Sequence, residues 1–332
     1  MDFQNMKVIK EIKPSGKMSR LTFEIKEAKY LLVLSSDTEK ASYIDIFDIK
    51  DFTKIFTDKR ESLCCIRELK NGNFVLSYEE GKLEIASIDL EAKKLEVVQT
   101  IEKHTSDVYD VKELSSGNLI SCSNNGEIIF WSLNPSLNKY EELKLINTHP
   151  NEYSSILEDE DRNKVILAPC FDSGGTCIID LETYEIKATF DDIAGNGGNE
   201  LYWVNDNIVI DNSAADEIGL FYIDMDKNEI VKHDEKFNDN KSSCFLKLKN
   251  GNLLCAVVVE NKKLDLSGSE GEEEQDDGTG RSDIQCWEID ETGLNWKLLC
   301  TKEKIDNYPI MYMTELNDGK IVICSNLVKI YQ

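Results

Sequence analysis

The stretch from Glu68 to Val75 reads Glu-Leu-Lys-Asn-Gly-Asn-Phe-Val, and variants of it recur three times further along the chain. The recurrences run from Glu113 to Ile120, from Lys247 to Leu254 and from Glu315 to Val322. Their glycines stand at positions 72, 117, 251 and 319, so the first interval is 45 residues and the second is close to three times that. A period of about 40–50 residues is typical of a chain built from repeated structural units.

Stepping along the chain by this period places polar turns near residues 27, 162 and 206 as well. Short apolar runs follow these turns, for example Tyr30–Leu34 and Val165–Leu167, and this gives seven units. Within the units, apolar and polar residues alternate and Asn-Gly or Asp-Gly pairs supply hairpin turns. The sequence therefore predicts a single all-β domain over residues 1–332, a seven-bladed β-propeller with four antiparallel strands per blade.

The two ends of the chain predict how the ring closes. The chain stops at Gln332, directly after the third strand of the last unit, and a strand-like run from Met6 to Ile12 precedes the first full unit. We expect the N-terminal run to supply the outer strand of the last blade, because this pairing hides two open strand edges. The alternative is an unrelated leading strand.

One unit resembles the WD40 repeat family. The segment His104 to Val111, Ser121, the turn Asn124 to Gly126 and Trp131 match that family's pattern, although Lys103 stands in place of its glycine. The resemblance implies a hydrogen-bonded tetrad that stiffens the blade, formed by His104, Ser121, Asn125 and Trp131. Asn in the family's Asp position brings no charge to the imidazole. The sharp match covers residues 104–131, so a seven-bladed propeller outside this family remains the alternative at fold level.

The sequence shows no recognisable set of catalytic or metal-binding residues, and we expect no cofactor. The ten cysteines have no Cys-x-x-Cys pair among them, and three histidines offer few further ligands. The N-terminus lacks the pattern of a secretory signal, and the longest apolar run, Leu253 to Val259, is too short to span a bilayer. These features favour a reduced intracellular compartment, cytoplasmic or nuclear.

The charge balance favours some partners over others. The chain has 63 acidic and 38 basic residues, a formal net charge of −25. Such a surface repels nucleic acid backbones and anionic lipid, so we expect no direct binding to either. Basic protein segments are the favoured partners. The alternative is that the acidity only keeps the protein soluble.

An acidic insertion lengthens the sixth unit. Residues 264–282 are rich in Gly, Ser and acidic residues and contain no large apolar residue after Leu266, which predicts a disordered segment within blade six. Ser267 and Ser269 are each followed three residues later by an acid, so both are candidates for phosphorylation by an acid-directed kinase. Such short patterns also occur by chance.

The resemblance to the WD40 family implies that partners bind the face where each blade's first strand begins. Carrying the period around the ring selects positions on that face, and two acids with an aromatic between them suit a Lys or Arg side chain. The candidate partner-binding residues are Asp107, Tyr109, Glu152, Lys17, Lys241 and Tyr308. The alternative is that these are ordinary solvated loop residues.

These observations together predict a non-catalytic protein-interaction scaffold, a monomeric propeller within a larger complex. One alternative is a substrate-recruiting receptor of a multiprotein complex such as a ubiquitin ligase. Another is a propeller-type hydrolase, because some propellers gather acids and histidines in their central channel.

Overall fold

A computed structural model describes residues 3–37, 40–149, 151–169, 175–190, 201–211, 221–232, 241–259, 281–293 and 295–332. Within these ranges the chain forms seven antiparallel sheets of four strands each. In six sheets the strands follow chain order from the first strand to the outer one, whereas the seventh joins both ends of the chain. The predicted seven-bladed β-propeller is confirmed.

Each blade takes its four strands from one repeat of the sequence. Blade one comprises β2 (Met18–Ile25), β3 (Tyr30–Ser36), β4 (Ala41–Asp48) and β5 (Lys54–Glu61). Blade two comprises β6 (Leu63–Glu68), β7 (Phe74–Tyr78), β8 (Lys82–Asp89) and β9 (Lys94–Glu102). Blade three comprises β10 (Val108–Glu113), β11 (Leu119–Ser123), β12 (Glu127–Asn134) and β13 (Lys139–Asn147). Blade four comprises β14 (Tyr153–Asp159), β15 (Lys164–Pro169), β16 (Thr176–Asp180) and β17 (Ile186–Phe190). Blade five comprises β18 (Leu201–Trp203), β19 (Ile208–Asp211), β20 (Phe221–Asp224) and β21 (Glu229–Lys232). Blade six comprises β22 (Lys241–Lys247), β23 (Leu253–Val259), β24 (Arg281–Ile289) and β25 (Trp296–Asp306).

Blade seven closes the ring with both ends of the chain. It combines β26 (Tyr312–Glu315), β27 (Ile321–Cys324) and β28 (Val328–Tyr331) with β1 (Val8–Ile12) as its outer strand. The strands β1 and β28 pair antiparallel, with Ile12 opposite Val328. The predicted closure by the N-terminal strand is confirmed, and it covers edges that would otherwise lack partners.

The hydrophobic core lies between neighbouring blades. Val75 of blade two packs in one cluster with Leu119 and Trp131 of blade three, and all three side chains are buried. Burial of apolar surface is the main stabilising contribution, so each blade depends on its two neighbours. All nine cysteines in the described part of the chain are free thiols, and seven of them are buried in this core.

The strand order gives the propeller two distinct faces. The upper face carries the segments that lead into each first strand and the turns that join second to third strands. The lower face carries the turns that join first to second strands and third to outer strands. The repeated phrase of the sequence forms the first of these lower turns, where Gly72, Gly117, Gly251 and Gly319 adopt φ between 80° and 89°. Only glycine adopts such angles at little cost.

The repeated glutamate of that phrase links neighbouring blades. In five junctions its carboxylate accepts a backbone N–H from the lower turn of the preceding blade. The donor–acceptor pairs are Lys26–Glu68 (3.1 Å), Lys70–Glu113 (2.6 Å), Ser115–Glu158 (2.8 Å), Lys249–Glu315 (2.7 Å) and Asn317–Glu24 (2.9 Å). We call this set of turns and carboxylates the lower ring.

The predicted acidic insertion, residues 264–282, lies outside the described residues except at its end. Arg281 and Ser282 begin β24 rather than belonging to the insertion. Ser267 and Ser269 lie outside the described residues, so their phosphorylation stays a prediction.

Candidate recognition face around the central channel

The first strands of the blades line a central channel, and five of them carry an irregularity near the upper face. In β6, β10 and β14 the register shifts at Cys64, Tyr109 and Ser154. In β2 the shift falls at Arg20, and in β22 it falls between Ser242 and Cys244. The extra residue in each strand is a β-bulge, which redirects the side chain that it carries.

The bulge in β2 corrects one of the predicted positions. Counting two residues back from the bulge gives Ser62, Asp107 and Glu152 in blades two to four, as predicted, but Met18 in blade one. Lys17 was assigned to this position by counting 45 residues. The spacing from blade one to blade two is 44 residues here, so Lys17 lies one residue outside the equivalent register. Its exposed side chain precedes β2, and its N–H donates to Ser36 O at 2.9 Å.

Asp107 is only partly exposed, and it forms hydrogen bonds with two backbone N–H groups. Its Oδ1 accepts the backbone N–H of Glu80 at 2.9 Å, and its carbonyl accepts the N–H of Asn124 at 3.0 Å. The side chain is half-buried, whereas that of Glu80 is exposed. The Asp107 carboxylate therefore lies against the backbone of Glu80, where the upper turn of blade two meets the segment leading into blade three.

The other candidate residues are spread around the upper face. Glu152 is half-buried directly before β14, and Tyr109 is half-buried at the channel. Tyr308 is 42% exposed in the connection between blades six and seven, where its carbonyl accepts the hydroxyl of Ser282. Lys241 is the first residue of β22. Asp107 thus lies directly before β10 and Tyr109 lies within it, while Glu152 leads into the next blade.

A cavity of about 270 Å³ lies at the upper end of the channel. The first strands of six blades contribute to its wall. The polar and aromatic side chains that these strands contribute are Arg20, Cys64, Cys65, Arg67, Tyr109, Asp110, Ser154, Ser155, Tyr202 and Tyr312. Tyr109 therefore borders the cavity, and Asp107 lies two residues before it in the chain.

Blade three contains a buried chain of hydrogen bonds behind this surface. Trp131 Nε1 donates to Ser121 Oγ at 2.9 Å, and Ser121 Oγ lies 2.7 Å from His104 Nε2. His104 Nδ1 lies 3.2 Å from Glu127 Oε2. A carboxylate can only accept, so Nδ1 carries the proton and Nε2 accepts the hydroxyl of Ser121.

The fourth member of this chain is Glu127, and the prediction of Asn125 is wrong. Asn125 is in the turn before β12, where its Oδ1 accepts from Ser123 at 2.6 Å and its Nδ2 donates to Thr105 at 2.7 Å. Glu127 is the first residue of β12, and its longer side chain reaches the imidazole. Because this acid is charged, the network has the ionic partner that Asn125 would have lacked.

Burial sets the protonation states in this chain. It lowers the pKa of His104 to about 4 against the opposing effect of Glu127, so the ring is neutral at pH 7. Burial alone would raise the pKa of Glu127, but hydrogen bonds from Thr105 and His104 lower it overall. The carboxylate is therefore ionised at neutral pH.

The order Ser121–His104–Glu127 has the connectivity of a hydrolase triad, but its burial argues against that role. Ser121 is 0% exposed and its oxygen already accepts the indole N–H of Trp131. A nucleophile must reach the carbonyl that it attacks, and this hydroxyl has no path to a substrate. The hydrogen bonds instead connect Ser121 of β11 and the two β12 residues, Glu127 and Trp131, to His104 in the segment leading into β10.

Two further observations concern the described residues. No group of three or more His, Cys, Asp and Glu side chains among them could hold a metal ion. None of the helices in the described ranges has the length and hydrophobicity needed to cross a membrane.

Comparison with known proteins identifies the fold. No family model matches the chain, and no curated protein matches its sequence. A chain in the solved structure titled "Crystal Structure of Mitotic Checkpoint Complex" matches with a TM-score of 0.71 at 10% identity. The match covers 100% of this chain and 93% of that one. Because 1286 chains of solved structures match, the likeness shows a widespread propeller fold.

Sequence reasoning missed Arg20, Glu80 and Glu127. Glu127 directly follows the Asn-Asn-Gly turn, so an acid adjoining the turn was a usable signal. Arg20 was missed because a bulge and a 44-residue spacing displaced the count by one position. Glu80 lies in a turn with no counterpart in the repeated phrase.

Proposed function

We propose that this protein is a non-catalytic interaction scaffold, a divergent WD40-type propeller that works in the cytoplasm or nucleus within a larger complex. Its partner is a protein segment with basic character, which binds the upper face beside blades two to four. The observation that carries the proposal is the contact of the Asp107 carboxylate with the backbone of the exposed Glu80, two residues before Tyr109 of the cavity wall.

The chemistry of this surface suits a Lys or Arg side chain. Glu79 is held by Lys40 at 2.7 Å, which leaves Glu80, Asp107 and Glu152 to set the local charge. The ring of Tyr109 offers a π face to the same cation, and a cation over an aromatic ring gains about 0.5–2 kcal/mol. The net charge of −25 also attracts basic segments at long range and raises their association rate.

The test neutralises two charges while preserving the fold. Asp107→Asn keeps an oxygen that accepts the Glu80 N–H, and Glu152→Gln keeps the length of its side chain. We expect this double variant to bind the partner recovered by affinity purification at least tenfold more weakly, a loss of about 1.4 kcal/mol. Its melting temperature should equal that of the wild type.

A matched control removes the same charge from the lower face. Glu91→Gln with Glu160→Gln changes two exposed carboxylates in lower turns and should leave the affinity unchanged. The proposal would be contradicted if the Asp107 and Glu152 double variant bound the partner as tightly as the wild type does. It would also be contradicted if the lower-face double variant weakened binding by the same factor. Measuring affinity against salt concentration adds a check, because loss of a local ion pair reduces the salt dependence.

A further inference from the structure

The cavity at the channel mouth has an imbalance of charge. Arg20 lies in its wall, half-buried, and its Nη2 donates to Leu63 O at 2.5 Å. Its Nε is buried without a hydrogen-bond partner. Among the residues that the structure describes, none forms an ion pair with Arg20.

The second arginine of the cavity is already neutralised. Arg67 Nη2 lies 3.2 Å from Asp110 Oδ1, and Asp110 Oδ2 accepts the N–H of Ile156 at 3.1 Å. Asp110 is the one carboxylate among the described residues of the cavity wall. Its charge is therefore committed to Arg67, and the wall keeps an excess positive charge at Arg20.

The neighbouring thiols do not supply the missing negative charge. Cys64 and Cys65 line the same wall, and burial raises the pKa of each thiol to about 12. Both are therefore protonated at neutral pH. Desolvation by burial also lowers the pKa of Arg20, yet a guanidinium stays charged at any physiological pH.

We propose that this cavity binds a compact oxyanion, a carboxylate or phosphate group, through Arg20. A partly buried guanidinium with an unsatisfied Nε costs solvation energy, and an anion that enters the cavity reduces this cost. Glu79 acts on Arg20 only through space and is itself paired with Lys40. The guanidinium matches oxyanions geometrically because its planar donors form parallel hydrogen bonds. This site is distinct from the acidic surface at Glu80, Asp107 and Glu152, and it takes a ligand of opposite charge.

The size of the cavity limits what enters. Pockets for small organic ligands are typically about 300–1,000 Å³, and this cavity is slightly smaller. A single phosphate or the tip of an acidic side chain suits the available space better than a nucleotide. Tyr109 and Tyr202 border the remaining wall.

The experiment titrates the full-length protein with two probes at constant ionic strength. Inorganic phosphate represents a free oxyanion, and N-acetylglutamate N-methylamide represents an acidic side chain of a protein. We expect saturable binding of at least one probe by calorimetry, with affinity reduced at least tenfold in Arg20→Gln. Saturation by phosphate alone assigns a phosphate group, and saturation by the glutamate amide alone assigns a side-chain carboxylate.

Two further variants keep the test decisive. Lys144→Gln removes one exposed positive charge from β13 and should bind as the wild type does. Arg20→Lys keeps the charge without the planar donors, so it should bind the probe at least threefold more weakly than the wild type does. This variant provides the test if Arg20→Gln fails to fold. Absence of saturable binding to both probes would overturn the proposal, and so would equal affinity in wild type and both Arg20 variants.

Discussion

The lower ring and the upper turns both join neighbouring blades, but they do so by different physical means. In the lower ring, a carboxylate of one blade accepts a backbone N–H from another, and an added Cβ at Gly117 or Gly251 would meet nothing within 4 Å. In the upper turns, a Cβ at Gly81 would lie 2.0 Å from His104 O, and one at Gly126 would lie 2.5 Å from Asn151 O. The lower turns use polar contacts with open space around them, whereas the upper turns pack against the following segment.

This difference explains which part of the molecule is repeated in sequence. Each lower turn faces the same task, so glycine, glutamate and leucine recur at the same spacing. The upper turns contact segments of different length and composition. Gly81 and Gly126 keep the 45-residue spacing, but the corresponding turn of blade seven, residues 325–327, has no glycine. A partner that binds the upper face therefore meets a surface that differs from blade to blade, which allows specificity.

The largest effect is expected for Gly81→Ala. The new Cβ would overlap backbone atoms of His104, and Gly81 also adopts φ +85°. Overpacking and a left-handed backbone together cost about 2–5 kcal/mol. Chemical denaturation of wild type and variant measures this loss. A loss below about 1 kcal/mol would show that the upper turn is not tightly packed.

The next effect concerns pH at the same junction. The pKa of His104 is about 4 in the folded protein and about 6.5 when unfolded, so the unfolded state binds more protons between these values. The contribution of the neutral His104 to the free energy of unfolding is fully present above pH 6.5, and about 3 kcal/mol of it is lost as pH falls to 4. His104→Gln should show a shallower decline in that window, measured by denaturation at several pH values. Parallel curves would contradict burial of a neutral imidazole.

A smaller effect is expected for Gly117→Ala in the lower ring. Because the space around this glycine is open, the substitution costs only the left-handed conformation, about 1–2 kcal/mol. The same denaturation series as for Gly81→Ala measures it. The comparison between the two faces fails if Gly117→Ala is as damaging as Gly81→Ala.

The fold could be predicted from the sequence because its signal is repeated. The glycines and glutamates of the lower ring gave the blade count, and the two chain ends gave the closure. The site could be predicted only in part. Counting by a fixed period works where each repeat has the same length, and it failed at Lys17 because the bulge of β2 falls one residue later than the period predicts. Glu127 was missed because its role depends on side-chain reach, which spacing alone does not reveal.

We expect the repeated lower ring to serve the fold alone, whereas the variable upper face binds partners. Amide hydrogen exchange of the full-length protein, alone and with its recovered partner, tests this directly. The account predicts slower exchange in the presence of partner in the upper segments around Glu80, Asp107 and Glu152. Amides of the lower ring, such as those of Lys70 and Ser115, should exchange at unchanged rates. Protection confined to the lower ring, with no change around Glu80 and Asp107, would contradict the claim.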